Sequence, residues 1–234
     1  MTGTGPPGIR ACVIGLIGFA AAEEQMLLAA GGAGDDPGDP RRWAAVPLVA
    51  HNNEFRQQQV RRLAAIRDGQ TPPAFAGIDH SSAEVYRGYR AIPAAQVAEA
   101  SRQSAAALTA GLAATPDEDL LDPSRHPWLA GRQLWLQIVV RGFWHPTGHL
   151  GEYYLAHGQA GRAVALAKQA VAWADYLDAP DMARGMAVYN LACAQAGAGQ
   201  AGDAVATLAE AIALNGALRA NAARDPALLP NPLH

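Results

Sequence analysis

Apolar residues recur at three- and four-residue steps through most of this chain. Ile9, Cys12, Val13, Leu16, Ile17, Ala20 and Leu27 fall mostly on such steps and predict a first helix over residues 9–30. Residues 31–42 crowd Gly, Asp and Pro together and read as a loop. A second helix is expected from about Val46 to Ile66, with Pro47 tolerable in its first turn and Leu48, Phe55, Val60, Leu63 and Ile66 on its apolar face. Residues 68–79 form another loop, followed by a polar-aromatic piece from His80 to Arg90. A third helix is expected from about Pro93 to Ala114, closed by residues 115–119. A fourth starts near Trp128 or Leu129 and carries Leu134 and Ile138. No stretch alternates with a period of two, so the chain reads as all-α.

The fourth helix runs into Trp144-His145-Pro146-Thr147-Gly148-His149. Two readings stand for Pro146. An interior proline kinks one helix, or the helix ends at Phe143 and another starts at Pro146. Either keeps His145 and His149, four residues apart, close in space. His51 lies one turn from both Leu48 and Phe55, so it points inward on the second helix. Three histidines from two helices make three corners of a metal site with positions left open, which suits catalysis better than a purely structural role. The competing reading is three partly buried, hydrogen-bonded polar residues.

Composition narrows the classes. Half of the 234 residues are hydrophobic and the formal net charge is −3, which argues against a nucleic-acid surface or a disordered acidic tail. Cys12 and Cys193 have no informative spacing, so no disulfide framework is expected and a reducing cytoplasm fits. Residues 11–22 are too short an apolar run to span a bilayer. Arg10 before them and Ala20-Ala21-Ala22 after them resemble a signal peptide, but the helical stripe continues past the run, which favours a core helix and no membrane association.

Residues 158–165 and 199–206 agree at seven of eight positions at an offset of 41, the mark of a helical repeat. Leu150-Gly151, Tyr154, Gly158, Ala163 and Ala170 resemble the tetratricopeptide repeat in order and spacing. Leu191-Ala192, Gly199, Ala204, Leu208 and Ala211 resemble it again, with Gln195 where Tyr is usual. The matched small residues read as packing positions, and a capping helix is expected over residues 218–229. The first repeat starts one residue after His149, so the last bundle helix doubles as the first repeat helix. The division expected is residues 1–157 and 158–234, with the repeats a docking surface for a protein partner.

The helix order, with Trp43 eight residues before His51, Ile78-Asp79, Pro116-Asp117-Glu118-Asp119-Leu120 and His145-Pro146…His149, resembles the DinB superfamily, in its ClbS/DfsB-like branch, over about residues 9–157. That resemblance implies a cytoplasmic, up-down four-helix bundle, often dimeric, with a divalent metal (zinc or nickel foremost) on His51, His145 and His149. It implies an enzyme acting on a small-molecule electrophile, as a thiol-dependent transferase or isomerase with a low-molecular-weight thiol as cosubstrate, or as a self-resistance hydrolase. It also places Asp79, His80 and Tyr86 at the bundle mouth as substrate-binding candidates. The chain departs from the family at Trp43-Ala44-Ala45-Val46-Pro47, where a polar helix cap is usual.

Other residues near the histidines carry weaker signals. Arg141, one turn before His145, is a candidate to orient an anionic substrate, with a surface arginine the competing reading. Glu54 and Glu152 are spaced to accept from a ligand's second ring nitrogen, or to be solvated carboxylates. Trp144 and Tyr153 read as core, His126 and His157 as structural or exposed. The other class of function is a non-enzymatic module in which the bundle holds a ligand and the repeats bind protein.

Overall fold

The computed structural model describes residues 8–31, 42–74, 83–225 and 228. Asp79 and His80, two of the proposed substrate contacts, lie outside them, as does part of the expected capping segment. The described residues are helical, with no strand among them. Contacts divide the chain into residues 1–146 and 147–234.

In the first unit α1 (Ile9–Ala30), α2 (Ala45–Arg67) and α4 (Ala94–Ala114) pack on one another. A fourth helical run, α6 (Leu134–Val139) and a π-helical turn at Val140–Trp144, packs against α1, and its π turn also meets α2. Short helices α3 (Ala83–Arg90) and α5 (Asp117–Leu121) pack on α2 and α6. The fourth run therefore starts later than its sequence suggests. Trp128 and Leu129 form a separate 3-10 turn, Pro127–Leu129, and the break comes from Ala130 and Gly131, both at positive φ. Residues 115–119, read as a helix end, lead directly into one more helical turn at Asp117–Leu121.

α1 is long and apolar enough to cross a membrane, the one such helix among the described residues. Here Val13, Leu16, Ile17 and Ala20 are fully buried. Arg10, which resembles the basic flank of a signal peptide, instead donates to Thr115 O at 2.6 Å and Ala113 O at 3.2 Å and pairs with Asp117. It meets the unsatisfied carbonyls at the C-terminus of α4, where a cation is favoured.

The core of this unit also holds a charged network. Glu24 on α1 and Arg56 on α2 are both fully buried. The carboxylate accepts from Arg56 Nη1 at 3.0 Å, Ser101 Oγ at 2.7 Å and Asn52 Nδ2 at 3.0 Å. Arg56 donates further to Ser104 Oγ at 3.1 Å and Asn53 Oδ1 at 2.8 Å. A buried ion pair persists only when its remaining donors and acceptors are met in this way. The network ties α1, α2 and α4 together beside His51.

In the second unit α8 (Ala160–Tyr176) and α10 (Ala201–Leu214) both pack on α9 (Asp181–Gly197), and α11 (Leu218–Ala222) packs on α9 and α10. The sequence repeat is a repeated turn. Gly158 and Gly199 have φ of 72° and 75°. Gln159 N–H donates to Tyr154 O at 2.7 Å and Gln200 N–H to Gln195 O at 2.9 Å, each closing the preceding helix in a glycine-dependent C-cap. The next helix then starts two residues past each glycine, at Ala160 and Ala201.

Candidate metal centre

α2 supplies the first residue. His51 is buried, with Phe55 one turn on and Trp43 and Tyr89 around it. The Trp43 ring lies 6.0 Å from the His51 ring, centre to centre, and 5.4 Å from that of Tyr86. Tyr86 is itself buried, its hydroxyl 3.2 Å from Arg90 Nη1. It therefore packs on Trp43, behind the ring that meets His51.

The π turn delivers the second residue. The His145 N–H bonds to Val140 O, five residues back. Pro146 cannot donate to the Gly142 carbonyl, and in a regular α-turn its ring would strike that oxygen. The wider turn relieves the clash, and the helix continues as α7 (His145–Ala156). Neither a simple kink nor a clean break describes it. Gly142 is required for a second reason: a Cβ there would lie 2.8 Å from Ile17 Cγ1 and 3.1 Å from Leu108 Cδ2. The absence of a side chain lets the turn seat on α1 and α4, with His145 facing α2.

His51 Nε2 and His145 Nε2 are 3.1 Å apart. Phe55 lies against both rings, at 4.8 Å and 4.3 Å between centroids. His149 is carried one turn farther along α7, and one nitrogen from each of His51, His145 and His149 lies within 4.8 Å of the others. The Nδ1 of His149 is 3.0 Å from Glu152 Oε2, leaving the ligand role to Nε2. Glu54, the other carboxylate spaced for that task, instead accepts from the Tyr89 hydroxyl. Burial and that bond push the Tyr89 hydroxyl far above its ordinary value.

The donor set fits a divalent ion. Zinc holds imidazole nitrogens at about 2.0–2.1 Å, so two on one ion stand about 2.9–3.4 Å apart at angles of about 90–109°. The His51–His145 separation of 3.1 Å is within that span. The bound of 4.8 Å on the set exceeds the roughly 4.2 Å maximum for two such ligands on one ion. A carboxylate behind one imidazole is the usual support for such a ligand.

Arg141 is not the surface arginine its sequence favours. It is half-buried, its guanidinium carbon 4.9 Å from the centre of the Phe55 ring, and burial lowers its pKa. Arg62, which the sequence pattern did not single out, is buried, with its guanidinium 4.5 Å over the Trp128 ring. The available signal was spacing: positions 51, 55, 59 and 62 form one stripe along α2. Trp144 and Tyr153 are core residues. His126 bonds Asp119 O at 2.9 Å, and His157 stacks on Tyr153 at 3.9 Å.

Comparison with protein-family models, curated proteins and solved structures finds no match.

Proposed function

We infer that this chain is a metal-dependent protein acting on an electrophilic small molecule, by thiol transfer or hydrolysis, in detoxification or self-resistance. The observation that carries the reading is that one nitrogen from each of His51, His145 and His149 lies within 4.8 Å of the others, with two Nε2 atoms 3.1 Å apart. The resemblance to DinB and ClbS-like bundles supports the reaction class and a cytoplasmic setting.

His51, His145 and His149 would hold the ion, zinc or nickel by their donor type. When bound, it supplies Lewis acidity to a water, thiol or carbonyl group. Glu152 fixes the tautomer of His149 by accepting from Nδ1. Phe55 holds the His51 and His145 rings in register. Trp43 and Tyr89 exclude water from one side of His51. A low-molecular-weight thiol is the cosubstrate in the transferase form of this reading and is absent from the hydrolase form.

A second reading has the tetratricopeptide-like repeats dock a protein. The identical turns at Gly158 and Gly199 favour it.

Metal analysis of the purified protein and of His51→Ala and His149→Ala tests the main reading. Stoichiometric metal in the wild type, lost in both variants while helicity is retained, is expected. A wild type that carries no metal and binds none on titration refutes it. Turnover of a model electrophile with and without low-molecular-weight thiols then separates transferase from hydrolase.

A further inference from the structure

In the second unit a cavity of about 400 Å³ is lined by Tyr189 on α9 and by Asn221, Arg224 and Asp225 in and just after α11. Apolar contacts seat α11 beside it. Leu218 is buried in a cluster with Val188, Tyr189 and Ala211, and Ala222, one turn on, packs against the same cluster. Beyond the helix the chain stays turned. Arg224 N–H donates to Asn221 O at 3.0 Å, Leu228 N–H donates to Asp225 O at 3.0 Å, and Leu228 returns to the cluster. These contacts fix where the polar groups stand against α9. The Asp225 carboxylate accepts from the Tyr189 hydroxyl at 2.7 Å and lies 3.6 Å from the Cys193 sulfur, so it is tied to α9. Arg224 donates through Nε to Ala220 O at 3.1 Å, which anchors its guanidinium, and it has no carboxylate partner among the described residues. One concave site therefore gathers an anchored cation, an anion held by its neighbours, and the Asn221 amide. A cleft of that size with a few convergent polar groups is the usual form of a small-molecule site.

We propose that this cavity binds an amino-acid-like ligand, a carboxylate with an N–H donor on the adjacent carbon. The terminal nitrogens of Arg224 form a fork that matches the two carboxylate oxygens. Asp225 and the Asn221 side-chain oxygen accept from the ligand nitrogen, and the Asn221 amide nitrogen donates to its oxygens. Asp225 also decides against a second negative charge, since a dianion such as phosphate would be repelled by it. Two ligands share this chemistry, a free amino acid and an N-acylated one, and they differ in the charge on nitrogen. The site needs neither a metal at the histidines nor a protein on the repeats.

The test is heteronuclear NMR titration of the full chain at neutral pH with leucine, with N-acetylleucine and with isocaproate, which is leucine without its nitrogen. Saturable shifts of the Tyr189, Asn221, Arg224 and Asp225 amides are expected with leucine or N-acetylleucine, and the tighter of the two identifies the state of the nitrogen. A ligand this small should bind with a dissociation constant on the order of 1 mM. Isocaproate should bind more weakly than the tighter probe. Arg224→Gln should weaken that probe about tenfold to a hundredfold, and Asn221→Ala by a smaller factor. Arg219→Gln, an exposed α11 position outside the cavity lining, should leave it unchanged. Arg224→Lys should also weaken binding, and it carries the test if Arg224→Gln loses helicity by circular dichroism. No saturable shift, shifts centred away from these residues, isocaproate binding as tightly as both probes, or an unchanged affinity in the Arg224 variants overturns the proposal.

Discussion

Removing the Glu24 carboxylate leaves Arg56 charged and fully enclosed. Glu24→Ala takes away the acceptor for one guanidinium edge, for Ser101 Oγ and for Asn52 Nδ2. Breaking a buried ion pair from one side costs about 3–5 kcal/mol, because the remaining charge keeps its desolvation penalty without its partner. Arg56→Ala leaves a buried carboxylate and should cost a similar amount. The double variant Glu24→Leu/Arg56→Leu removes both charges and leaves only the Ser and Asn groups short of partners, at about 1–3 kcal/mol each. With Ser101 Oγ and Asn52 Nδ2 as those groups, its cost should be about 2–6 kcal/mol, below the roughly 6–10 kcal/mol of the summed single costs. The assay is urea unfolding followed by far-ultraviolet circular dichroism, fitted with separate transitions for the two units. With a slope near 2 kcal/mol per M, each single variant moves the midpoint of the first unit down by roughly 2 M and leaves the other transition in place. Glu24→Gln, which keeps the shape, serves if the alanine variant does not fold. The reasoning is refuted if Glu24→Ala costs less than about 1 kcal/mol, or if the single costs add to the double within about 0.5 kcal/mol.

Gly142→Ala should lower stability by about 1–3 kcal/mol, since the new methyl meets Ile17 and Leu108. It should also weaken metal uptake by displacing the π turn under His145, as thermal melts and metal titration would show. Gly158→Ala and Gly199→Ala should each destabilise by about 1 kcal/mol, and by equal amounts, because both glycines adopt the same positive φ in the same cap. Unequal losses in the melts would break that equivalence. The Cys193 thiol is pushed far above its ordinary value of 9.0 by burial first and by Asp225, 3.6 Å away, second. Tyr189 is raised by burial and by its bond to Asp225 at 2.7 Å. Both folded-state values are raised, so their stabilisation is complete below the unfolded values and is lost as pH climbs above about 9. Unfolding midpoints measured from pH 7 to 10.5 should fall over that upper range, and native Cys193 should alkylate slowly at pH 8. A midpoint that rises, or fast alkylation of folded protein, contradicts the assignment.

Much of the fold is legible locally. The first helix is expected over residues 9–30 and observed at Ile9–Ala30, and the second and third agree to within a residue at each end. The site is legible only in part. The spacing of His145 and His149 follows from helix geometry, and so does the reach of Glu152 back to His149. The partner of Glu54 does not, because Tyr89 stands on another helix.

The sequence alone determined most of the helices and the shared face of two histidines. Each depends on residues within a turn or two of one another. The tertiary structure decided what faces them. Glu24, Arg56 and Gln59 are polar by type, yet all three are fully buried. Glu24 and Arg56 can be buried because residues on α1, α2 and α4 meet their hydrogen bonds, and Ser101 lies 77 residues from Glu24 in the chain. The contact between His51 and His145 spans 94 residues. It depends on a missing side chain at Gly142 and on a π turn that accommodates Pro146. Such contacts are set by how closely two helices approach and in which register, and no periodicity within either helix encodes that.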